Sequence, residues 1–440
     1  MRIEASESNA FPSVNLFDDI HRSTFNYFCA GAHPDTGLPF DRLSAEGKPI
    51  NDIVSVSGAG FGLMAILVGA EQGWIGRGQA LERVSRMLQS LSSVERFRGA
   101  LPHFVHAQTL TILPFGRRDD GADLVETSLF LQGLICAREY FAGQASDETA
   151  FRASADQIIQ GVEWSWFTRK KDGPLYWHWS PKYHWARNVP ITGWNEALIA
   201  YVLAAGAEHH AIKPESYHAG WARHGEMVNG NTYLGTVLPL GEPFGGPLFL
   251  SQYSFCGLNP FGLRDRYCDY AEQVTAHAKI NHDYCKSQFG AHGAWGMTAC
   301  DGPKGYRAFS PTVDGGIIAP TAALSSFAFL PDEAEEALEI FASHQNGNLL
   351  GRYGLVDSYS PASGWAAKTH LATNQGPIVA MMENHRSGLL WRLFINAPEV
   401  QRGLDRLGFE RPKGSRTAGP QPSMNTSVPM RRTPLSTTSQ

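Results

Sequence analysis

Three carboxylates crowd one stretch of this chain: Asp119, Asp123 and Glu126, within RRDDGADLVETSLFLQ. On a continuous helix they share one face, within about 60° of arc. Like charges that close raise a pKa, and carboxylates of different pKa can divide acid and base work. The same spacing also reads as a helix start. Asp123 is then the N-cap, and Glu126 three residues on completes a pattern resembling a capping box.

A fourth carboxylate, Glu196, follows an aromatic run. Tyr176-Trp177-His178-Trp179-Ser180-Pro181 continues through Tyr183, Trp185 and Trp194 to Asn195-Glu196. Six of the eleven tryptophans fall between Trp164 and Trp194, so this run is where aromatic surface concentrates. Alternation along an extended segment puts Trp177 and Trp179 on one face. A helix expected from Asn195 then carries Glu196 in its first turn. A carboxyl beside aromatic walls loses hydration, which raises its pKa and suits a general acid. The competing reading is an aromatic core cluster with a solvated glutamate beside it. Further on, Cys300-Asp301-Gly302-Pro303-Lys304-Gly305-Tyr306-Arg307 is a polar turn that could bring Asp301 and Arg307 to a site, or be simply a turn.

Other patterns point away from chemistry. Gly58-Ala59-Gly60-Phe61-Gly62 lacks dinucleotide-binding spacing, and close helix packing accounts for it better. His209-His210 and the His277/His282 pair lack a third ligand at metal-site spacing, so no metal is expected. No GxSxG occurs, against an α/β-hydrolase nucleophile.

The elements that must hold these residues read as helices. Candidate spans are Leu16 to Ala32, Gly60 to Trp74, Gln79 to Val94, Asp123 to Phe141, Glu148 to Thr168 and Asn195 to Ala207. Asp265 to Lys286, Ala319 to Leu330, Asp332 to His344, Gly376 to Phe394 and Pro398 to Leu407 follow. Gly60 to Trp74 is apolar all round, as a buried helix is. Between helices, His103 to Phe115 and Leu175 to Trp185 read as extended. Long loops around 215–260 and 286–316 exceed ordinary connections and carry Trp, Tyr and Gly, which favours ordered, functional loops.

About eleven helices with no Pro/Ser/Gly linker from Leu16 to Phe409 predict one large all-α domain over residues 1–411. No 30–45 residue sequence period appears, against a regular solenoid. Residues 412–440 are rich in Ser, Thr, Pro and Gly and poor in large apolar side chains, and they read as a disordered tail.

The chain has 440 residues, 37 basic and 42 acidic, for a net charge of −5. With no basic run, nucleic acid is disfavoured as a partner. No stretch approaches 18 apolar residues, so no membrane span is expected. The N-terminal segment lacks a basic start followed by an apolar core, so no signal peptide is expected. Six scattered cysteines without CxxC fit free thiols in a reducing compartment, and a cytoplasmic location is the expectation.

Taken together, several segments resemble a known family. DLVETSLFLQGLICAREYF, YWHWSPKYHWARNVPITGWNEALIAYVLA, WGMTACDGPKGYRAFSP, IAPTAALSSFAF and NQGPIVAMMENHRSGLLWRLF are similar to the glycoamylase-like family of bacterial endo-β-1,2-glucanases, glycoside hydrolase family 144. The similarity runs from about Leu16 to Phe409, with the motifs in order. It implies an (α/α)6 barrel with short β segments in its loops. It implies a cleft for β-1,2-glucan or its oligosaccharides, sophorose-type products, and no cofactor. It points to Glu196 as proton donor, with Asp119, Asp123 and Glu126 as further carboxylates of the cleft. Trp177, Trp179, Tyr183 and Trp194 would line sugar subsites, and Arg42, Arg307 and Asn374 would contact substrate. At one position the sequence departs from the family pattern: an aspartate is expected before QGP, and Asn374 stands there. An amide cannot act as a base, and an inverting hydrolase needs one. That leaves hydrolysis through another carboxylate, transfer or phosphorolysis on the same glucans, or an inactive glucan-binding protein.

Overall fold

A computed structural model describes residues 15–170, 172–290, 294–343 and 349–411. Segment 412–440, read above as a disordered tail, lies outside the described residues. The helices are α1 (Leu16–Cys29), α2 (Val56–Glu71), α3 (Arg77–Ser92), α4 (Leu124–Tyr140), α5 (Ser146–Gln160) and α6 (Leu198–Gly206). They continue as α7 (Tyr270–Phe289), α8 (Pro320–Leu324), α9 (Pro331–Ser343), α10 (Ala372–Arg386), α11 (Leu389–Asn396) and α12 (Pro398–Leu407). Strands are two to four residues long and pair only as small antiparallel ladders.

Burial sorts the helices into two layers. From Val56 to Gly69, α2 is buried on every side, and so are Leu124 to Arg138 of α4 and all of α6. Helices apolar all round belong inside. They touch in sequence around a ring: α8 against α10, α10 against α2, α2 against α4, α4 against α6. Helices buried on only one face cover them from outside: α3 on α2, α5 on α4, α9 on α8 and α12 on α6. This alternation of inner and outer helices is the expected all-α, (α/α)6-type barrel.

Glycine sets the crossing of α2 and α4. A Cβ on Gly133 of α4 would lie 2.0 Å from the Gly60 carbonyl oxygen of α2. A Cβ on Gly60 would lie 2.4 Å from the Leu129 carbonyl. The glycine-rich segment is therefore a packing surface, as its spacing implies.

Helix ends follow local chemistry. Asn15 caps α1, accepting from the Asp18 N–H, with Asp18 and Asp19 in the positive first turn. Asp269 caps α7 through the Ala271 and Glu272 N–H groups. The expected start at Asp265 moves there because Asp265 is engaged elsewhere, accepting from the Tyr217 and Tyr270 hydroxyls at 2.6 and 3.2 Å. The helix expected over 376–394 breaks in two at Gly388, whose φ of +66° is open chiefly to glycine. The one expected over 148–168 ends at Gln160 and resumes as a tighter turn, Trp164–Thr168. Both long loops contain ordered hairpins, Thr232–Val237 and Ala299–Ala308. All six cysteines are free thiols, five of them buried. No helix of the described residues is long and apolar enough to cross a membrane.

Candidate active site

A cleft of about 420 Å³ opens where inner helices begin. Ser55 and Ser57 reach it from the start of α2, Val125 and Glu126 from α4, Glu196 from the turn before α6, and Leu371 and Thr373 from the start of α10. Helix N-termini expose unpaired N–H groups and the positive end of the peptide dipoles, so carboxylates are favoured there. Short antiparallel ladders run into the same ends. Ala122-Asp123 pairs with His178-Trp179, and Arg42–Ser44 pairs with Thr369–Leu371.

Glu196 precedes α6 instead of occupying its first turn. Ser254 fixes it from a neighbouring segment: its hydroxyl donates to the Glu196 carbonyl and accepts from the Ile199 N–H at 3.1 Å. The Asn195 side chain closes the turn by accepting from the Ala197 N–H at 2.9 Å. The Glu196 carboxyl is pushed up to about 7, by burial first and then by the charges of Asp123 and Glu126. Near neutral pH it thus holds its proton about half the time and can both give and regain it.

The other three carboxylates do not share a helix face. The helix begins only at Leu124, and Asp119 lies in a separate turn closed by its own N–H to the Gly116 carbonyl. Asp123 is the N-cap, accepting from the Val125 and Glu126 N–H groups at 3.0 Å each. Capping and site geometry therefore coincide at that residue. Only Glu126 reaches the cleft wall, where its Oε2 accepts from the Ser57 N–H at 2.7 Å. Burial raises its pKa.

Between these acids stand two histidines, His103 and His178, to which the sequence assigns no chemical role. His103 donates from Nδ1 to Asp123 Oδ2 at 2.9 Å, and its Nε2 lies 3.8 Å from Glu126 Oε1. Burial opposes its charge, but Glu126, Asp123 and Asp119 outweigh it and raise its pKa to about 9. The His103 hydrogen bond and charge in turn hold Asp123 below the usual carboxylate range against the burial that raises it. Behind them, His178 Nδ1 lies 3.3 Å from Asp119 and 3.6 Å from Asp123. Asp119, Asp123 and His178 each bring one potential ligand atom within 4.8 Å of the others. Protein cations already face this group, with Arg187 3.6 Å from Asp119 and His103 on Asp123.

A second polar group lies around Arg42. Its guanidinium donates to both oxygens of Asp301, at 2.7 and 2.8 Å, and Thr369 donates to Asp301 at 2.6 Å. The turn containing Asp301 thus does reach the site, as a hairpin. Asp357, fully buried, accepts from the Asp301 N–H and the Asn374 amide, each at 2.7 Å. Burial and Asp301 push Asp357 up to about 7. Asn374 does not line the cleft. Its amide also donates to the Ala299 carbonyl at 3.0 Å and its oxygen accepts from the Tyr253 hydroxyl at 3.3 Å, so it pins the layer underneath.

Of the expected sugar-binding aromatics, only Trp177 lines this cleft. Trp179 packs on Phe97 and Trp166, because the strand is only two residues long and its alternation does not persist. Tyr183 sits in a turn closed by Ser180 and His184, under Lys182. Trp194 is core, stacked on Phe255. Arg307 is exposed on its hairpin and absent from the lining, whereas the preceding residue, Tyr306, lines it, since neighbours on a strand face opposite ways. Sequence reading missed Phe115 and Tyr306, each about half exposed at 53 % and 51 %, which is unusual for large rings and places apolar surface at the cleft. Phe115 stacks on His103 at 4.2 Å, and Arg42 lies over the Tyr306 ring at 5.4 Å.

Known proteins share this architecture. The glycoamylase family model matches residues 188–398. An endo-β-1,2-glucanase from Chitinophaga pinensis, solved with sophorotriose and glucose, is 43 % identical over 92 % of this chain and 100 % of its own, with a TM-score of 0.88. A curated relative from Parabacteroides distasonis, an exo-β-1,2-glucooligosaccharide sophorohydrolase, is 38 % identical over 89 % of this chain, which spans 57 % of that relative's length. An endo-β-1,2-glucanase from Talaromyces funiculosus, 12 % identical with a TM-score of 0.64 over 89 % of this chain and 90 % of its own, shares the fold. The motifs, the helical barrel and the match over the whole length of the Chitinophaga pinensis enzyme agree: the chain belongs to the glycoamylase-like family of β-1,2-glucanases.

Proposed function

We propose that the protein is a glycoside hydrolase acting on β-1,2-glucan or its oligosaccharides and releasing sophorose-type products. Glu196 is its general acid and Glu126 the carboxylate that assists from the cleft wall. The observation that carries this reading is the pairing of a cleft carboxyl protonated near neutrality with a second, hydrogen-bonded carboxylate on the same wall. Two carboxyl groups held in different protonation states are what glycosidic cleavage through an oxocarbenium-like state requires. The names of the relatives support the linkage. Incubation with linear β-1,2-glucan, with β-1,3- and β-1,4-glucans as controls, tests it. Sophorose-type oligosaccharides from the β-1,2 polymer alone are expected, and turnover of only the controls would sink the linkage.

Transfer to an acceptor sugar is the second reading, and Asn374 motivates it. The amide is fully engaged below the cleft, which supports hydrolysis by way of the carboxylates above it. Asn374→Asp is therefore expected to give no increase in hydrolysis, and a rate above wild type would overturn this. The variant loses two buried donations and sets a carboxyl against Asp357, costing about 1–3 kcal/mol at pH 8. Acids whose folded pKa is raised contribute stability that is lost as pH rises. The deficit should thus shrink between pH 8 and pH 5, as melting curves at both would show.

At the rim, Phe115→Ala and Tyr306→Ala are each expected to raise KM about 2- to 10-fold, from a lost stacking surface worth about 0.5–1.5 kcal/mol. An unchanged KM across a series of glucan lengths would remove them from substrate binding.

A further inference from the structure

We infer that His103 is a positioning residue for this reaction: its ring bridges the buried Asp123 to the cleft-lining Glu126 and holds the Glu126 carboxylate ready for substrate. The inference rests on the hydrolase reading above. It begins with an arrangement rather than with one residue. Asp119, His178, Asp123, His103 and Glu126 form an alternating row of carboxylate and imidazole, with successive separations of 3.3, 3.6, 2.9 and 3.8 Å. The row starts at a buried aspartate and ends at the cleft.

Each end of the His103 ring meets an acid, and the two acids differ in freedom. Asp123 cannot move, because its Oδ1 caps α4 and its Oδ2 receives His103. Glu126 Oε2 takes the Ser57 N–H, which leaves Oε1 facing His103 and the cleft. Phe115 covers one face of the imidazole at 4.2 Å and shields the pair from water. A cation here has a clear electrostatic task. Glu126 is faced by the charges of Asp123 and Glu196, which together with burial favour its neutral form. His103 is the positive group opposing them. Asp119 from the preceding turn and Asp41 from across the cleft also act on this ring, and both favour its charge. The positive ring thus acts on Glu126 against burial and Asp123, favouring its ionised form.

His103→Asn tests this, since an amide can still donate toward Asp123 but cannot carry charge. The acid limb of the kcat/KM–pH profile on β-1,2-glucan should move up by about one unit or more, as expected for loss of a charge within ~4–6 Å. Activity should fall about tenfold at pH 5 and recover toward wild type near pH 7. A uniform loss at all pH values with an unmoved limb would overturn the inference and leave a purely structural histidine. A second measurement is independent of turnover. With ¹³C-labelled histidine, the His103 ring should stay imidazolium through pH 8 in the wild type and titrate at lower pH in Glu126→Gln. A neutral ring at pH 7 in the wild type, or no shift in the variant, would overturn it. An inactive wild type with the expected titration would instead count against the hydrolase reading.

Discussion

Glu196→Gln is expected to lower kcat on β-1,2-glucan by about 10²- to 10⁴-fold, the usual contribution of a positioned proton donor. KM should change little. The amide has nearly the same shape, and the backbone stays fixed by Ser254 and the Asn195 turn. What disappears is the proton. In the wild type, burial and the charges of Asp123 and Glu126 keep that proton in place up to about pH 7. Above that value the acid is lost, so kcat/KM should fall about tenfold per pH unit on the alkaline side. The variant's residual rate should lack this limb. A single pH series on both proteins, with melting temperature as the folding control, reads both effects. An undiminished rate in the variant would remove Glu196 from the acid role.

Gly133→Ala is expected to cost about 3 kcal/mol of stability, at the upper end of ordinary overpacking. The added methyl would meet backbone: the Gly60 carbonyl oxygen at 2.0 Å and its carbon at 2.8 Å. No side chain can turn aside, so α2 and α4 must separate. Both are inner helices whose N-termini carry Ser57 and Glu126, so the displacement should also weaken the Ser57 N–H to Glu126 contact. Loss of stability and loss of activity are therefore expected together. Gly78→Ala is the control, because nothing lies within 4 Å of a Cβ there. In the first turn of α3 it should be neutral or slightly stabilising, by about 0.4–1 kcal/mol. Thermal melts of both variants give the comparison, and equal midpoints would refute the close-crossing argument.

Much of this was decided locally and could be read from the chain. Apolar residues without a polar face mark α2 as an inner helix, and Gly58 to Gly62 announce its close contact, because both are properties of neighbouring residues. The sequence motifs single out Asp123, Glu126 and Glu196. The capping pattern at Asp123 is real, and it is also what sets Glu126 at the cleft. What no local pattern carries is direction and distance. Trp177 and Trp179 look equivalent in sequence, yet a two-residue strand sends one to the cleft and one to Trp166. Trp194 sits two residues before Glu196 and still belongs to the core. His103 lies twenty residues before its partner Asp123, and Asp301 meets Arg42 across 259 positions. Such pairs exist only once the inner helices have brought their N-termini to one end of the ring. The protonation states follow from the same step. A glutamate in a peptide titrates near 4.3. Tertiary burial, together with two other carboxylates brought beside it, holds the Glu196 proton to about pH 7 and makes it an acid.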